Sequence, residues 1–345
     1  MHVPCCLRTP FAFLFLTAAL HAQTPNQQPA AADSPLHMDV AVTTGNGDPV
    51  AGLAAADFTL LEDKKPQPIE RVQAMTAESA PTEGILLIDD VNATFTTVGN
   101  ERQQIDRFLR SNEGRLPFPL RLAVMSDAGT QMGTSVTADG NALAAQLDQT
   151  EIGLREVRRS AGFYGAVERF ELSMKTVDGL IGVTAGMPGR KVILWVSPGW
   201  PSLSGPGVML SEAQEKGVYA QIVGISTALR KQDVVIYHVN PLGVQEDISA
   251  QTYYEAFLSP VRRPGDAQYG DLNLQVFATQ SGGLVLTSND IAGMLARCVK
   301  DAASFYRITF QALPGDGKSS FHSVQVTVDK PGAVARTRSG YYVEP

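Results

Sequence analysis

The chain has 345 residues, of which 44% are hydrophobic and 18% charged, an ordinary balance for a folded protein of one large domain or two modest ones. Its formal net charge is -7. No Lys/Arg block is present that could track a phosphate backbone, which argues against nucleic acid as a partner.

At the amino terminus Arg8 precedes the apolar run Pro10 to Leu20, "PFAFLFLTAAL", and "LHAQ" offers cleavage after Ala22. The run falls short of the ~20 apolar residues a spanning helix needs and has signal-peptide flanks. Residues 1–22 therefore read as a signal peptide, and the mature protein is expected to be secreted or periplasmic, with no integral membrane segment. Cys5 and Cys6 leave with it. Cys298 is then the only cysteine, so no intrachain disulfide can form; its helical register with Ile291, Met294 and Leu295 makes it a small core residue.

Residues 23–35, "QTPNQQPAAADSP", read as a disordered polar linker. From Leu36 the pattern is β-like. Met38, Val40 and Val42 alternate with polar or small neighbours, "GNGDP" supplies a turn, and "DFTLLEDKKPQPI" gives a second strand and an edge that tolerates Pro66 and Pro68. Residues 36–80 form this N-terminal β segment.

After Pro81 come five continuous apolar runs: "ILLI" (85–88), "LRLAVM" (120–125), "KVILWV" (191–196), "VVIYHV" (234–239) and "LVLT" (284–287). Strands buried on both faces read this way. Between them lie helical patterns, one with Ile105, Phe108 and Leu109 on a face. A second carries Phe163, Val167, Phe170, Met174, Val177 and Ile181, and a third Val218, Ile222 and Leu229. The alternation predicts a doubly wound, mostly parallel α/β domain over 81–303. The tail, 304–345, returns to alternation at Val324, Val326 and Val328. The simplest architecture packs it with 36–80, so that the α/β domain is inserted in a small β domain built from both ends of the chain.

In a doubly wound sheet, ligands bind beyond the carboxyl ends of the strands. There "EGILLIDDVNATF" places Asp90, Asn92 and Thr94 at alternate positions after the first buried strand. Carboxylate, amide and hydroxyl oxygens suit Mg²⁺ or Mn²⁺. The same residues also suit a turn that caps a helix near Asn100, and the sequence leaves open whether Asp89 or Asp90 faces the sheet edge.

The spacing Asp90-x-Asn92-x-Thr94 resembles the Asp-x-Ser-x-Ser motif of von Willebrand factor type A (VWA) domains, where it forms the first part of the metal-ion-dependent adhesion site. "VAVTTGNGDPVAGLAAADFTLLEDKKPQPI", "RKVILWVSPGWP" and "FHSVQVTVDKPGAVARTRSGYY" are similar to segments of bacterial VWFA-related proteins of acidobacterial type. The resemblance implies a module that binds another protein or a cell-surface macromolecule, with Ser160 in "RRSAGFYGAV" standing for the central threonine. It also implies an aspartate after the fourth strand, where this chain has Ser197-Pro198-Gly199. Proline carries no ligating side chain, so the metal site is expected to be degenerate.

Two other constellations compete. Ser197 on a strand-to-loop turn suggests a serine hydrolase, with Asp233 or Asp247 and His322 completing a triad, although Trp195 stands where a nucleophile elbow has glycine. Trp200, Tyr253, Tyr254, Phe257 and Tyr269 fall in loops at or near the carboxyl edge of the sheet and, with Ser197, are candidates for partner contact. Alternatively the long interval 241–271 folds back and buries them. A non-enzymatic binding module accounts for more of these features than a hydrolase does.

Overall fold

The computed structural model describes residues 35–76, 78–93, 95–150, 162–203, 209–241, 252–313 and 321–343, the side chains of 95–98 excepted. Residues 1–34, on which the expected signal peptide and most of the expected linker fall, and Thr94, Ser160 and Asp247 lie outside the described residues. Residues from Pro35 onward belong to one compact unit.

Strands β1 (Leu36–Thr44), β2 (Phe58–Glu62), β3 (Lys65–Gln67) and β4 (Arg71–Thr76) open it. The α/β half follows: β5 (Thr82–Asp89), α1 (Phe95–Arg110), β6 (Arg115–Ser126), β7 (Gly129–Met132), β8 (Thr137–Asp139), α2 (Gly140–Gln149), α3 (Gly162–Thr184), β9 (Arg190–Val196), α4 (Glu212–Lys231), β10 (Val234–Asn240), α5 (Leu274–Gln280), β11 (Val285–Thr287) and α6 (Ile291–Ala302). Strands β12 (Ser304–Phe310), β13 (Phe321–Val328), β14 (Ala333–Arg336) and β15 (Gly340–Tyr342) close the unit.

The central sheet runs β11-β10-β9-β5-β6-β7. Its pairs are parallel except where β7 and β8 lie antiparallel to β6. Side chains of a strand alternate between faces, and here both faces are covered. Ile85, Leu87, Ile193 and Trp195 join residues of α3, α4 and α5 in one core. Leu86, Ile88, Val192 and Leu194 join α1, α2 and α6 in the other, which also holds Cys298. Double coverage is why these strands read as unbroken apolar runs rather than as alternation. Among the described residues no helix is long and apolar enough to cross a membrane.

Both chain ends build the second half. One antiparallel sheet is ordered β14-β1-β12-β4 and the other β15-β13-β2-β3, with Leu36 opposite Phe310 and Val326 opposite Leu60. Met38, Val40, Leu60, Ile308, Phe310 and Val326 pack together between the sheets, each strand placing alternate residues in that layer. The α/β half is thus inserted between strands of a small β sandwich.

Two local expectations are corrected. Helix α1 begins at Phe95, not near Asn100, so Asn100 lies within the helix. Phe163 leaves the buried stripe of α3 and is 61% exposed; the stripe takes hold at Phe170, Met174 and Val177.

Candidate functional site

Strand order reverses between β5 and β9. The chain leaves β5 for α1 on one face and β9 for α4 on the other, and such a switch point opens a crevice at the carboxyl ends of the strands. Asp89 ends β5, and Ser197 follows the last residue of β9.

A buried polar network centred on Asp89 fills this point. Ser197 Oγ donates to Asp89 Oδ2 at 2.7 Å, and Asn92 Nδ2 donates to the same oxygen at 2.9 Å. Asp89 Oδ1 accepts from the backbone N–H groups of Val91 (3.0 Å) and Asn92 (2.9 Å), the reach of a short acidic side chain to its own following turn. Asn92 Nδ2 also donates to Ser173 Oγ on α3. The Gly199 N–H donates to Ser197 Oγ at 3.0 Å, closing a tight turn that places Gly199 at φ +91°, a conformation natural to glycine. From the neighbouring strand His238 Nε2 donates to the Ser197 carbonyl at 2.8 Å. Asp89, Ser197 and His238 are all completely buried.

Burial raises the Asp89 carboxyl above its usual range, against the downward pull of Asn92 and Ser197. It lowers His238 to about 4, so this imidazole is neutral at physiological pH and carries its proton on Nε2.

The centre of the turn is therefore Asp89. Asp90, the residue the motif spacing favoured, is buried beside it, and its backbone N–H donates to Met125 O on β6. The carboxylate at the centre of the turn, Asp89, is engaged within the protein, while Asn92 Oδ1, one of the expected ligand atoms, is buried without a hydrogen-bond partner among the described residues. Both Asp89 oxygens are already taken by four donors, the nitrogen end of Asn92 faces that carboxylate, and Ser197 spends its hydroxyl hydrogen on it. Pro198 adds no donor atom. Among the described residues no group of three His, Cys, Asp or Glu side chains is placed to hold a metal. The remaining two expected ligands, Thr94 and Ser160, lie outside the described residues.

The hydrolase constellation does not assemble. Ser197 Oγ is buried and donates to a carboxylate rather than to an imidazole. His322 lies on β13 with Nδ1 3.0 Å from Asp63 Oδ2, and Asp233 pairs with Arg307 at 3.2 Å. The imidazole that does reach Ser197 is His238, and it meets the carbonyl instead of the hydroxyl.

The aromatic candidates divide. Trp200 is 6% exposed: its ring packs against Trp195 and Phe277, and Nε1 donates to Leu272 O at 3.0 Å. Phe257 is buried over Gly270, where a Cβ would come within 2.4 Å of its ring. Tyr269 is half-buried with its edge against Phe170, and Tyr254 is half-buried too. Only Tyr253 is exposed. Trp200 and Phe257 are thus corrected from contact candidates to packing residues. The cause is the long connection after β10, which folds back onto the body. Tyr342 Oη donates to Val261 O, and Arg262 Nη1 donates to Phe321 O.

The exposed apolar side chains at this end of the sheet are others. Phe163 (61%) and Tyr164 (81%) open α3, and Met209 (91%) precedes α4. Each of these helices runs back to the amino end of the next strand, so its first turn sits at the carboxyl edge. Sequence reasoning passed over Tyr164 and Met209. A usable signal was present: adjacent aromatics on a helix point about 100° apart, so a narrow apolar stripe does not take both.

No family model and no curated protein matches this chain. Solved structures similar to it include proximal thread matrix protein 1 from the mussel byssus with a zinc-occupied MIDAS motif (11% identity, 71% of this chain, 50% of that chain, TM-score 0.37). Manganese-loaded TRAP protein from Plasmodium vivax is similar at 9% identity, over 82% of this chain and 99% of that chain, with TM-score 0.33. The SpRpn10 VWA domain is similar at 15% identity, over 68% of this chain and 99% of that chain, with TM-score 0.27. The chain spans 44% and 49% of the length of two further matching structures. The architecture described above rests on strand order and register, not on these scores.

Proposed function

We propose that the protein is an exported, non-enzymatic VWA-like module, of the VWFA-related type, that binds another protein or a cell-surface macromolecule at the carboxyl-end face of its sheet. Binding proceeds without a divalent ion, because the adhesion-type site is degenerate. The signal peptide at 1–22 directs the chain to the periplasm or out of the cell.

The observation that carries this reading is the contrast between floor and rim. At the floor, Asn92 Nδ2 and Ser197 Oγ donate to the Asp89 carboxylate. At the rim, Phe163, Tyr164 and Met209 stand in solvent. Large exposed apolar side chains grouped at one end of a fold mark interaction surfaces, and the hydrogen bonds of the Asp89 carboxylate hold the floor beneath them.

The test is site-specific photocrosslinking in cells that produce the protein. A benzoyl-phenylalanine at position 164 is expected to give a discrete adduct that persists in EDTA. The same probe at Val334, exposed on β14 of the other half, is expected to give none. No adduct from position 164, or the same adducts from both positions, would overturn the proposal.

A further inference from the structure

Arg338 lies between β14 and β15 and is 8% exposed, yet its guanidinium makes no hydrogen bond or ion pair with any described residue. Buried polar groups are nearly always hydrogen-bonded, and buried charges are paired. Arg338 instead lines a cavity of about 20 Å³ between α4, the end of α5 and the last strands. That volume holds about one water-sized occupant.

The wall around it is rich in donors. Ser226, Gln280 and Ser339 contribute hydroxyl and amide groups, and Phe277 and Phe321 close the apolar side. Ser281 also lines it, but its hydroxyl is engaged with Ala278 O and the Ile236 N–H. Among the described residues no carboxylate lines the cavity.

Charge counting in the neighbourhood points the same way. Asp39 accepts Arg307 at 2.8 Å and Arg190 at 3.3 Å, and Asp233 accepts Arg307 at 3.2 Å. Cations outnumber carboxylates here: Arg190, Arg230, Arg307 and Arg338 surround Asp39 and Asp233, whose close ion pairs go to Arg190 and Arg307. Burial lowers its pKa to about 10, with Arg230 and Arg190 adding to the effect of burial and Asp233 and Asp39 opposing it. The guanidinium therefore remains charged at neutral pH. A water could accept one of its five N–H groups but could not neutralise it.

We infer that this cavity is a binding site for a small inorganic anion of halide size, held by the Arg338 guanidinium with the Ser226, Ser339 and Gln280 donors, and that the anion fastens the last strands to α4 and α5. The inference is independent of what the carboxyl-end face binds.

The experiment uses the mature chain. Thermal midpoints are measured in sodium gluconate, then with chloride or bromide replacing gluconate at constant ionic strength. Crystals grown in bromide are examined for anomalous scattering. The expected result is a midpoint that rises with halide, a bromide peak beside the Arg338 guanidinium, and loss of the halide response in Arg338→Gln. Should that variant not fold, Arg338→Lys, which keeps the charge but not the planar fork, is expected to respond more weakly than wild type. An equal midpoint in gluconate and halide overturns the site. So does a cavity without bromide, or a halide response unchanged by either substitution.

Discussion

Ser197 and Asp89 are joined across the switch between β9 and β5 by a 2.7 Å hydrogen bond, with neither side chain exposed. The Ser197 oxygen also accepts the Gly199 N–H. Replacing Ser197 by alanine removes one donor from a buried carboxylate and leaves that N–H without its acceptor. The expected cost is about 1–3 kcal/mol of folding stability, read from urea unfolding midpoints. A loss within about 0.3 kcal/mol would show that the network does not hold the turn.

His238 makes the protein sensitive to mild acid. Folding lowers its pKa to about 4, against an ordinary 6.5. The unfolded chain therefore takes up a proton in a range where the folded one does not. Stability is expected to fall as pH drops from about 6.5 to 4, by roughly 3 kcal/mol for this one group. In His238→Gln that part of the pH dependence should disappear, which unfolding curves at pH 7 and pH 4.5 would reveal.

Asp271 acts in the opposite sense. Burial raises it to about 6 even though the Gln268 N–H donates to its carboxylate. The folded state holds this proton more tightly than the unfolded state, so stability from this group falls as pH rises from about 4 to 6. Asp271→Asn keeps an acceptor for Gln268 and is expected to stabilise the protein at pH 7 by about 1–3 kcal/mol. At pH 3.5 the variant and wild type should unfold at similar denaturant concentrations.

Trp200 and Tyr164 should separate packing from recognition. Truncating the buried indole in Trp200→Ala opens the core between Trp195 and Phe277 and is expected to cost about 3–5 kcal/mol. Tyr164→Ala, on an exposed first turn, should change stability by no more than about 0.5 kcal/mol while abolishing the adduct formed by a benzoyl-phenylalanine placed at position 209. Calorimetry paired with the crosslinking assay distinguishes the two. If Tyr164→Ala lost the fold instead, the rim would be structural.

Divalent ions should leave the fold indifferent. The melting temperature is expected to be the same in EDTA and in millimolar Mg²⁺ or Mn²⁺. A metal-dependent rise that Asp90→Ala removes would show that the donors rearrange around an ion, against the geometry of Asp89, Asn92 and Ser197 described here.

Much of the architecture could be read from residue order alone. The five apolar runs became the parallel strands β5, β6, β9, β10 and β11, because a strand covered on both faces has no polar side to reveal its period. The short strands β7 and β8 were missed, since three or four half-exposed residues carry too little pattern to register. Which aspartate anchors the turn was left open, because the choice depends on the Ser197 hydroxyl, 108 positions away. Trp200 was misplaced at the rim for a similar reason. Its burial is produced by Leu272 and Phe277, in a connection whose composition resembles any surface loop and whose return path is set by contacts with Phe321 and Tyr342. Local periodicity fixes elements, but the fate of a loop belongs to its distant neighbours.

Strand β1 lies between β14 and β12, and His37 meets Thr309, 272 positions further along the chain. A polypeptide made amino end first therefore delivers this strand long before either neighbour exists. The α/β half can close on itself in the meantime, but the sandwich waits for the last segment, and Met38, Val40 and Val42 stay uncovered until it arrives. Closing so wide a loop is slow, and a waiting strand of this composition invites pairing with another chain. For this protein the time between synthesis of β1 and synthesis of β12 and β14 is the interval in which protection against aggregation matters most.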